Sequence, residues 1–229
     1  MPVYPHRMSV ILQPLPKDLR DHVVSHFNLV TDGWCWEEKA VKLAEAVWTL
    51  RPNLTVEVGV FGGKSFIPLA AIVAHLESGS TAPLPTYEAH GIDPWAAVAA
   101  VKDNEGTAHE PFWGNQAMLD AVFNRASQAV DRLQSGVVKL FRETSEQAFK
   151  RYPDASIGIL HLDGNHADPQ AFADVQRWWP KLRNGGLFVM DDTAWESQAR
   201  AVAWLKERGQ VVWEHNESGN SCMFFLKNG

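Results

Sequence analysis

The sequence predicts a doubly wound α/β domain: a mostly parallel sheet with helices on both faces. Three observations carry that prediction. Short β-branched or continuously apolar runs alternate with segments of helical period. Several of the apolar runs end in acids, as strands do where they deliver side chains to one sheet edge. The 229 residues also suffice for one complete core, but not for two ordinary enzyme domains and a linker. Residues 1–229 therefore read as a single domain, with a helical cap over 1–50 and the core over 51–229.

Residues 36–50 repeat apolar side chains at helical spacing (Ala40, Leu43, Val47, Leu50) and place Glu37 and Glu38 in the first turn, where the helix dipole favours acids. LTVEVG is then a buried strand. After the glycines, Phe66, Leu69, Val73 and Leu76 mark a helix whose Pro68 sits in the first turn, where it sacrifices no helical hydrogen bond. EAHGID is the next strand, and residues 94–112 form an irregular stretch of the size used for lids and binding loops. A helix near 115–133 leads to the strand VVKLFRE and a short helix. SIGILHLD is apolar enough to be buried on both faces. The helix after it has Asp168 and Pro169 as cap and first residue, a stripe of Phe172, Val175, Trp179 and Leu182, and a close at Pro180 with Gly185-Gly186. GLFVMDD is a further strand and 195–208 a helix; VVWEH and CMFFLK form a closing pair joined by NESGNS.

The formal net charge of -6 is spread through mixed charges, so nucleic acid is not an expected partner. Two cysteines, Cys35 and Cys222, supply neither a disulfide framework nor a zinc pair. With no apolar stretch of membrane-spanning length, the expectation is a cytoplasmic, soluble protein with no membrane partner. Of ten tryptophans, Trp34, Trp36, Trp95, Trp113 and Trp195 fall in loops or at helix starts, which suits an aromatic-lined pocket.

VEVGVFGGKS is a loop built for close approach to a ligand. Walker A needs four residues between its first glycine and the Gly-Lys pair, and Gly59 and Gly63 enclose three. Laid over residues 57–62, the dinucleotide fingerprint puts Glu57 where its first glycine should approach a pyrophosphate. Unit charges about 4 Å apart at an effective dielectric of roughly 20 interact by about 4 kcal/mol, unfavourably for a diphosphate and favourably for a cation. S-adenosylmethionine, with an ammonium, a sulfonium and no phosphate, has the matching charges. Asp93, at the end of the next strand, stands where nucleoside-binding sheets place an acid for ribose hydroxyls.

On these residues the chain resembles the class I S-adenosylmethionine-dependent methyltransferases from about residue 34 onwards. The resemblance implies a Rossmann-like, seven-stranded sheet with the last strand antiparallel. It implies cofactor contacts from Glu57, Gly59, Phe61, Gly62, Gly63 and Ser65 in the loop, from Asp93 and Trp95 after the second strand, from Thr144 and Ser145 beside adenine, and from Asp163.

HLDGNH and MDDT place Asp163, Asp191 and Asp192 at the carboxyl edge of the sheet, where ligands bind in open α/β folds. Clustered carboxylates repel one another without a cation, and an all-oxygen set suits Mg2+ or a similar divalent ion. The pattern resembles the macrocin and novobiocin sugar O-methyltransferases and, more distantly, catechol O-methyltransferase. That resemblance implies Asp163, Asp191 and Asp192 as metal ligands and His166 as general base, although Asn165 stands where some members have a catalytic aspartate. His161 reads as a satisfied core histidine. The expected activity is Mg2+-assisted O-methylation of a small-molecule acceptor with neighbouring oxygens, a sugar, phenol or other natural product, by an enzyme that the resemblance implies is a homodimer. The competing readings are a metal-independent N- or O-methyltransferase, a non-catalytic S-adenosylmethionine-binding regulator, and a nicotinamide oxidoreductase, which Glu57 disfavours.

Overall fold

The protein is described by a computed structural model covering residues 10–102 and 110–228. The first nine residues and the centre of the 94–112 loop lie outside the described residues. Two helices come first, α1 (Lys17–Leu29) and α2 (Glu37–Leu50). The strands are β1 (Leu54–Val58), β2 (Glu88–Ile92), β3 (Val138–Phe141), β4 (Ile157–Leu162), β5 (Leu182–Asp191), β6 (Gly209–Glu217) and β7 (Asn220–Lys227). Between them run α3 (Phe66–Ser78), the short α4 (Ala97–Ala100) and α5 (Glu110–Trp113), then α6 (Gln116–Arg132), α7 (Ser145–Ala148), α8 (Asp168–Trp178) and α9 (Ala199–Lys206).

The strands form one sheet in the order β3-β2-β1-β4-β5-β7-β6. β1 to β5 are parallel, and β7 runs antiparallel to both β5 and β6. The reversal of order between β1 and β4 makes the crevice at their carboxyl ends the natural ligand site. Successive residues serve opposite faces: Ile159, Leu187, Val189 and Phe224 join one apolar layer, and Leu160, Phe188, Met190 and Phe225 the other. At about 1.5–3 kcal/mol for each large side chain fully buried, these central strands dominate the stabilisation.

Local chemistry sets the boundaries. α2 stops at Leu50 because Arg51 turns left-handed (φ 45°) and Pro52 cannot continue the helix. The side chain of Asn115 caps α6 by accepting the Met118 N–H, and Thr144 and Gln147 cap α7 reciprocally. α3 is apolar nearly all round because α1 and α2 cover its outer side. α1 falls within the helical cap expected over 1–50, though its own apolar stripe is thin, with Leu19 and Val23 as its buried residues.

Two boundaries depart from expectation. Gly185 and Gly186 do not close α8 but lie inside β5, which starts at Leu182 after a 3-10 turn. A Cβ on Gly186 would stand 2.8 Å from the Gly158 carbonyl oxygen, so that glycine permits close approach to β4 beside its register shift. The helix expected over 195–208 divides into a 3-10 turn, Glu196–Gln198, and α9. Among the described residues no helix is long and apolar enough to cross a membrane.

Candidate active site

The loop after β1 is held entirely from within the chain. Glu57 is wholly buried; Ser65 Oγ donates to its Oε1 at 2.7 Å, and His161 Nδ1 lies 2.8 Å from its Oε2. Both oxygens are therefore engaged inside the fold, and Glu57 does not reach out as a free charge to meet a ligand. Lys64, the lysine that mimics a P-loop, donates to the Phe27 and Val30 carbonyls at the end of α1. Gly59 has φ 94°, and a Cβ there would lie 1.9 Å from the Asp163 carbonyl oxygen; one on Gly62 would lie 2.3 Å from Asp32 Cβ. Close approach is thus required, and its immediate partner is the chain's own backbone.

Asp93 braces this loop. Its Oδ2 accepts the Phe61 N–H at 2.9 Å and its Oδ1 the Trp95 N–H at 2.7 Å, while Trp95 Nε1 donates back to the Phe61 carbonyl at 2.8 Å. This circuit holds Phe61 (φ 44°) and Trp95 (φ 39°) in left-handed conformations that non-glycine residues seldom adopt. Burial pushes the Asp93 carboxyl up to about 6 against the pull of those two N–H donors. Trp95 is wholly buried, so it supports the loop from behind and lines no open pocket. Thr144 and Ser145 stand at the start of α7 with their hydroxyls engaged: Thr144 in its capping box, Ser145 between Asp174 Oδ1 (2.5 Å) and Trp178 Nε1 (2.8 Å).

The acids of β4 and β5 meet at the carboxyl edge, but not as one triad. Among the described residues, ligand atoms fall within 4.8 Å of one another in two groups that share Asp163, His161–Asp163–Asp191 and Asp163–His166–Asp192. Asp192 turns away from Asp191 through a left-handed φ of 50° and places its Oδ2 3.0 Å from His166 Nε2. His166 Nε2 lies 3.8 Å from Asp163 Oδ1, and Gln198 Nε2 is 2.7 Å from His166 Nδ1. Burial alone would lower the proton affinity of His166; the hydrogen bond to Asp192 and the neighbouring carboxylates outweigh it and raise the pKa above the usual histidine value. His161, expected as satisfied, has Nδ1 on Glu57, but its buried Nε2 has no hydrogen-bond partner among the described residues.

Between Asp163 and Asp191 lies a residue that the sequence reading missed. Lys39 of α2 is wholly buried; its ammonium lies 3.2 Å from Asp163 Oδ2 and makes a short contact with Asp191 Oδ2. Burial opposes the charge, but Asp163 and Asp191 outweigh it and hold the Lys39 pKa well above its usual value. Burial pushes Asp163 up, yet Lys39 brings it below the ordinary carboxylate range, while burial and the Asp163 charge push Asp191 well above it. The signal was available: Lys39 stands four residues before Leu43, on the apolar face of its helix. The three aspartates, expected as ligands of one divalent ion, do not fit that role with Lys39 in place. The ammonium already takes Oδ2 of both Asp163 and Asp191, and its repulsion of an ion of charge two about 3 Å away, about 11 kcal/mol at an effective dielectric of roughly 20, would cancel the attraction of one of those carboxylates.

Aromatic rings close the outer side of the loop. Trp34 stacks on Phe61 with centroids 5.4 Å apart, and Phe112 and Trp113 stand edge-on or tilted against both. A shallow cavity of about 270 Å³ opens here beside Asp32 and Arg125, and none of the clustered acids lines it. Trp195 instead packs against the His166 ring at 5.1 Å.

A parallel sheet with this strand order, its reversed seventh strand and its loops converging at the β1–β4 switch point is the class I methyltransferase fold. Residues 56–193, more than half of the chain, match the family described as a methyltransferase domain, and the chain belongs to that family. It is 27% identical over 169 residues, 74% of its length, to the uncharacterized protein y4gI of Sinorhizobium fredii, and spans only 15% of that relative. Among solved structures it is similar to the O-methyltransferase TomG of Streptomyces achromogenes, involved in tomaymycin synthesis and solved with SAM (TM-score 0.60, 13% identity, 95% of this chain and 93% of that one). It is similar also to the SAH-bound methyltransferase PaMTH1 of Podospora anserina (0.60, 12%, 97% and 100%) and to the O-methyltransferase NovP (0.59, 14%, 84% and 79%). At these identities the structures share a fold.

Proposed function

We propose that this chain transfers a methyl group from S-adenosylmethionine to a hydroxyl of a small molecule, with the helices before residue 51 as a cap over the cofactor-binding core of residues 51–229. The observation that carries the reading is the convergence, on one sheet edge, of the braced loop after β1 with Asp93 and of His166 held by Asp192. Asp93 fits the donor: among the described residues its partners are two backbone N–H groups, so its remaining lone pairs suit neutral hydroxyls such as those of a ribose. S-adenosylmethionine supplies a methyl carbon activated by its sulfonium. The names of TomG and NovP support oxygen as the accepting atom, and the rings of Trp34, Phe61, Phe112 and Trp113 support a planar or apolar acceptor. Two free cysteines support a reducing, cytoplasmic setting.

In this reading His166 receives the acceptor's proton on Nδ1, where the acceptor hydroxyl displaces the Gln198 amide, while Nε2 donates to Asp192, which stabilises the imidazolium. A raised pKa keeps His166 protonated to higher pH, so transfer quickens as pH climbs above the usual histidine range and is slowest below it. His166→Gln should abolish that rise in a pH-rate profile. No step is assigned to a metal, because Lys39 occupies the place between Asp163 and Asp191.

Calorimetric titration of S-adenosylhomocysteine and S-adenosylmethionine, with Mg2+ and again with EDTA, tests the proposal. Binding near 1 μM, about -8 kcal/mol, is expected in both buffers. Absence of binding in both would overturn it.

A further inference from the structure

Taking this edge as a methyl-transfer site, we propose that Lys39 is its resident cation: the ammonium fills the place between Asp163 and Asp191 that a divalent ion would take, and the protein works without a metal. Three features carry this. Lys39 is fully buried and touches both carboxylates, so it is part of the cluster and not a surface side chain resting nearby. Asp191 and Asp192, which would have to chelate together, face different side chains; the left-handed turn at Asp192 sends it to His166 while Asp191 stays inward on Lys39. Lys39 is also positioned from behind, its ammonium 5.5 Å from the Trp36 ring centroid, on a helix whose following turns (Leu43, Ala46, Val47) lie in the core.

Lys39 is a positioning residue. It has no open face toward an acceptor, but it holds Asp163 so that Oδ1 remains on the His166 side. An acceptor hydroxyl in such a site needs no second oxygen beside it to complete an ion's coordination, so single hydroxyls qualify as well as vicinal pairs.

The test is Mn2+ binding by electron paramagnetic resonance, paired with thermal melting, on wild type and on Lys39→Met. Wild type should leave the Mn2+ signal unchanged, and neither Mn2+ nor EDTA should move its melting temperature. Lys39→Met should melt lower, quench the signal at one ion per chain, and regain melting temperature when Mn2+ is added. Stoichiometric quenching by wild type would overturn the proposal; if Asp192→Asn removed that quenching, the ion would belong to the Asp163–His166–Asp192 group. A Lys39→Met protein that neither folds with Mn2+ present nor binds it would overturn it equally. S-adenosylhomocysteine titrated into the same wild-type sample separates the two readings, since its failure to bind would sink methyl transfer and leave the Mn2+ result to be read alone.

Discussion

Glu57 stands at the expected site and is held there by the chain's own side chains. Its carboxylate is the partner of both Ser65 and His161 in a dry interior, so Glu57→Ala strands two buried polar groups and opens a cavity. We expect a loss of about 3–5 kcal/mol in urea unfolding, with Glu57→Gln less costly because the volume and one acceptor remain. A fully stable Glu57→Ala protein with weakened S-adenosylhomocysteine binding would instead mean that Glu57 meets the ligand directly. Lys39 was hidden for a related reason. Sequence periodicity identifies the apolar face of α2, but a lysine on that face is by default a side chain that extends to water; only the acids of two distant strands make its burial tolerable. Asp163, Asp191, Asp192 and His166 were legible because they lie at or just after the ends of apolar strands, whereas the parting of Asp192 toward His166 and Asp191 toward Lys39 goes with the φ of one residue, Asp192.

At the scale of elements, strands were easier to place than their surroundings. β4 and β7 contain long apolar runs and β1 a short β-branched one, while the number of strands and the reversed last one came from family resemblance and their order only from the structure, because local patterns carry no information about which strands become neighbours. The glycines inside β5 were misread as a helix stop, since the close approach of β4 that requires them is a tertiary fact. The same logic makes the β1 loop testable. Gly59→Ala places a methyl group against the Asp163 backbone at a φ that alanine avoids, and should cost more than about 3 kcal/mol by chemical denaturation. Gly136→Ala, where an added Cβ meets nothing within 4 Å, should change stability by no more than about 0.5 kcal/mol.

For the whole molecule, the two thiols report on global integrity. Burial pushes Cys35 up to about 12 and Cys222, which is wholly buried, well above its ordinary range, so thiolate is scarce at neutral pH in the folded state. Labelling by a thiol-specific disulfide reagent at pH 8 should therefore be negligible for native protein and complete in denaturant. Because Cys35 is only half-buried, the diagnostic site is Cys222: its fast labelling in the native protein, located by peptide mapping, would mean that the sheet around it opens without full unfolding. One contact ties the halves of the sheet's carboxyl edge together. The chain leaving β1 packs so tightly on the chain leaving β4 that a Cβ on Gly59 would stand 1.9 Å from the Asp163 carbonyl oxygen. Whatever settles against one loop alters the energy of settling against the other, and by thermodynamic linkage the influence is mutual. A donor and an acceptor bound at this edge would therefore show cooperativity, each tightening or loosening the other by the same factor, in whichever order they arrive.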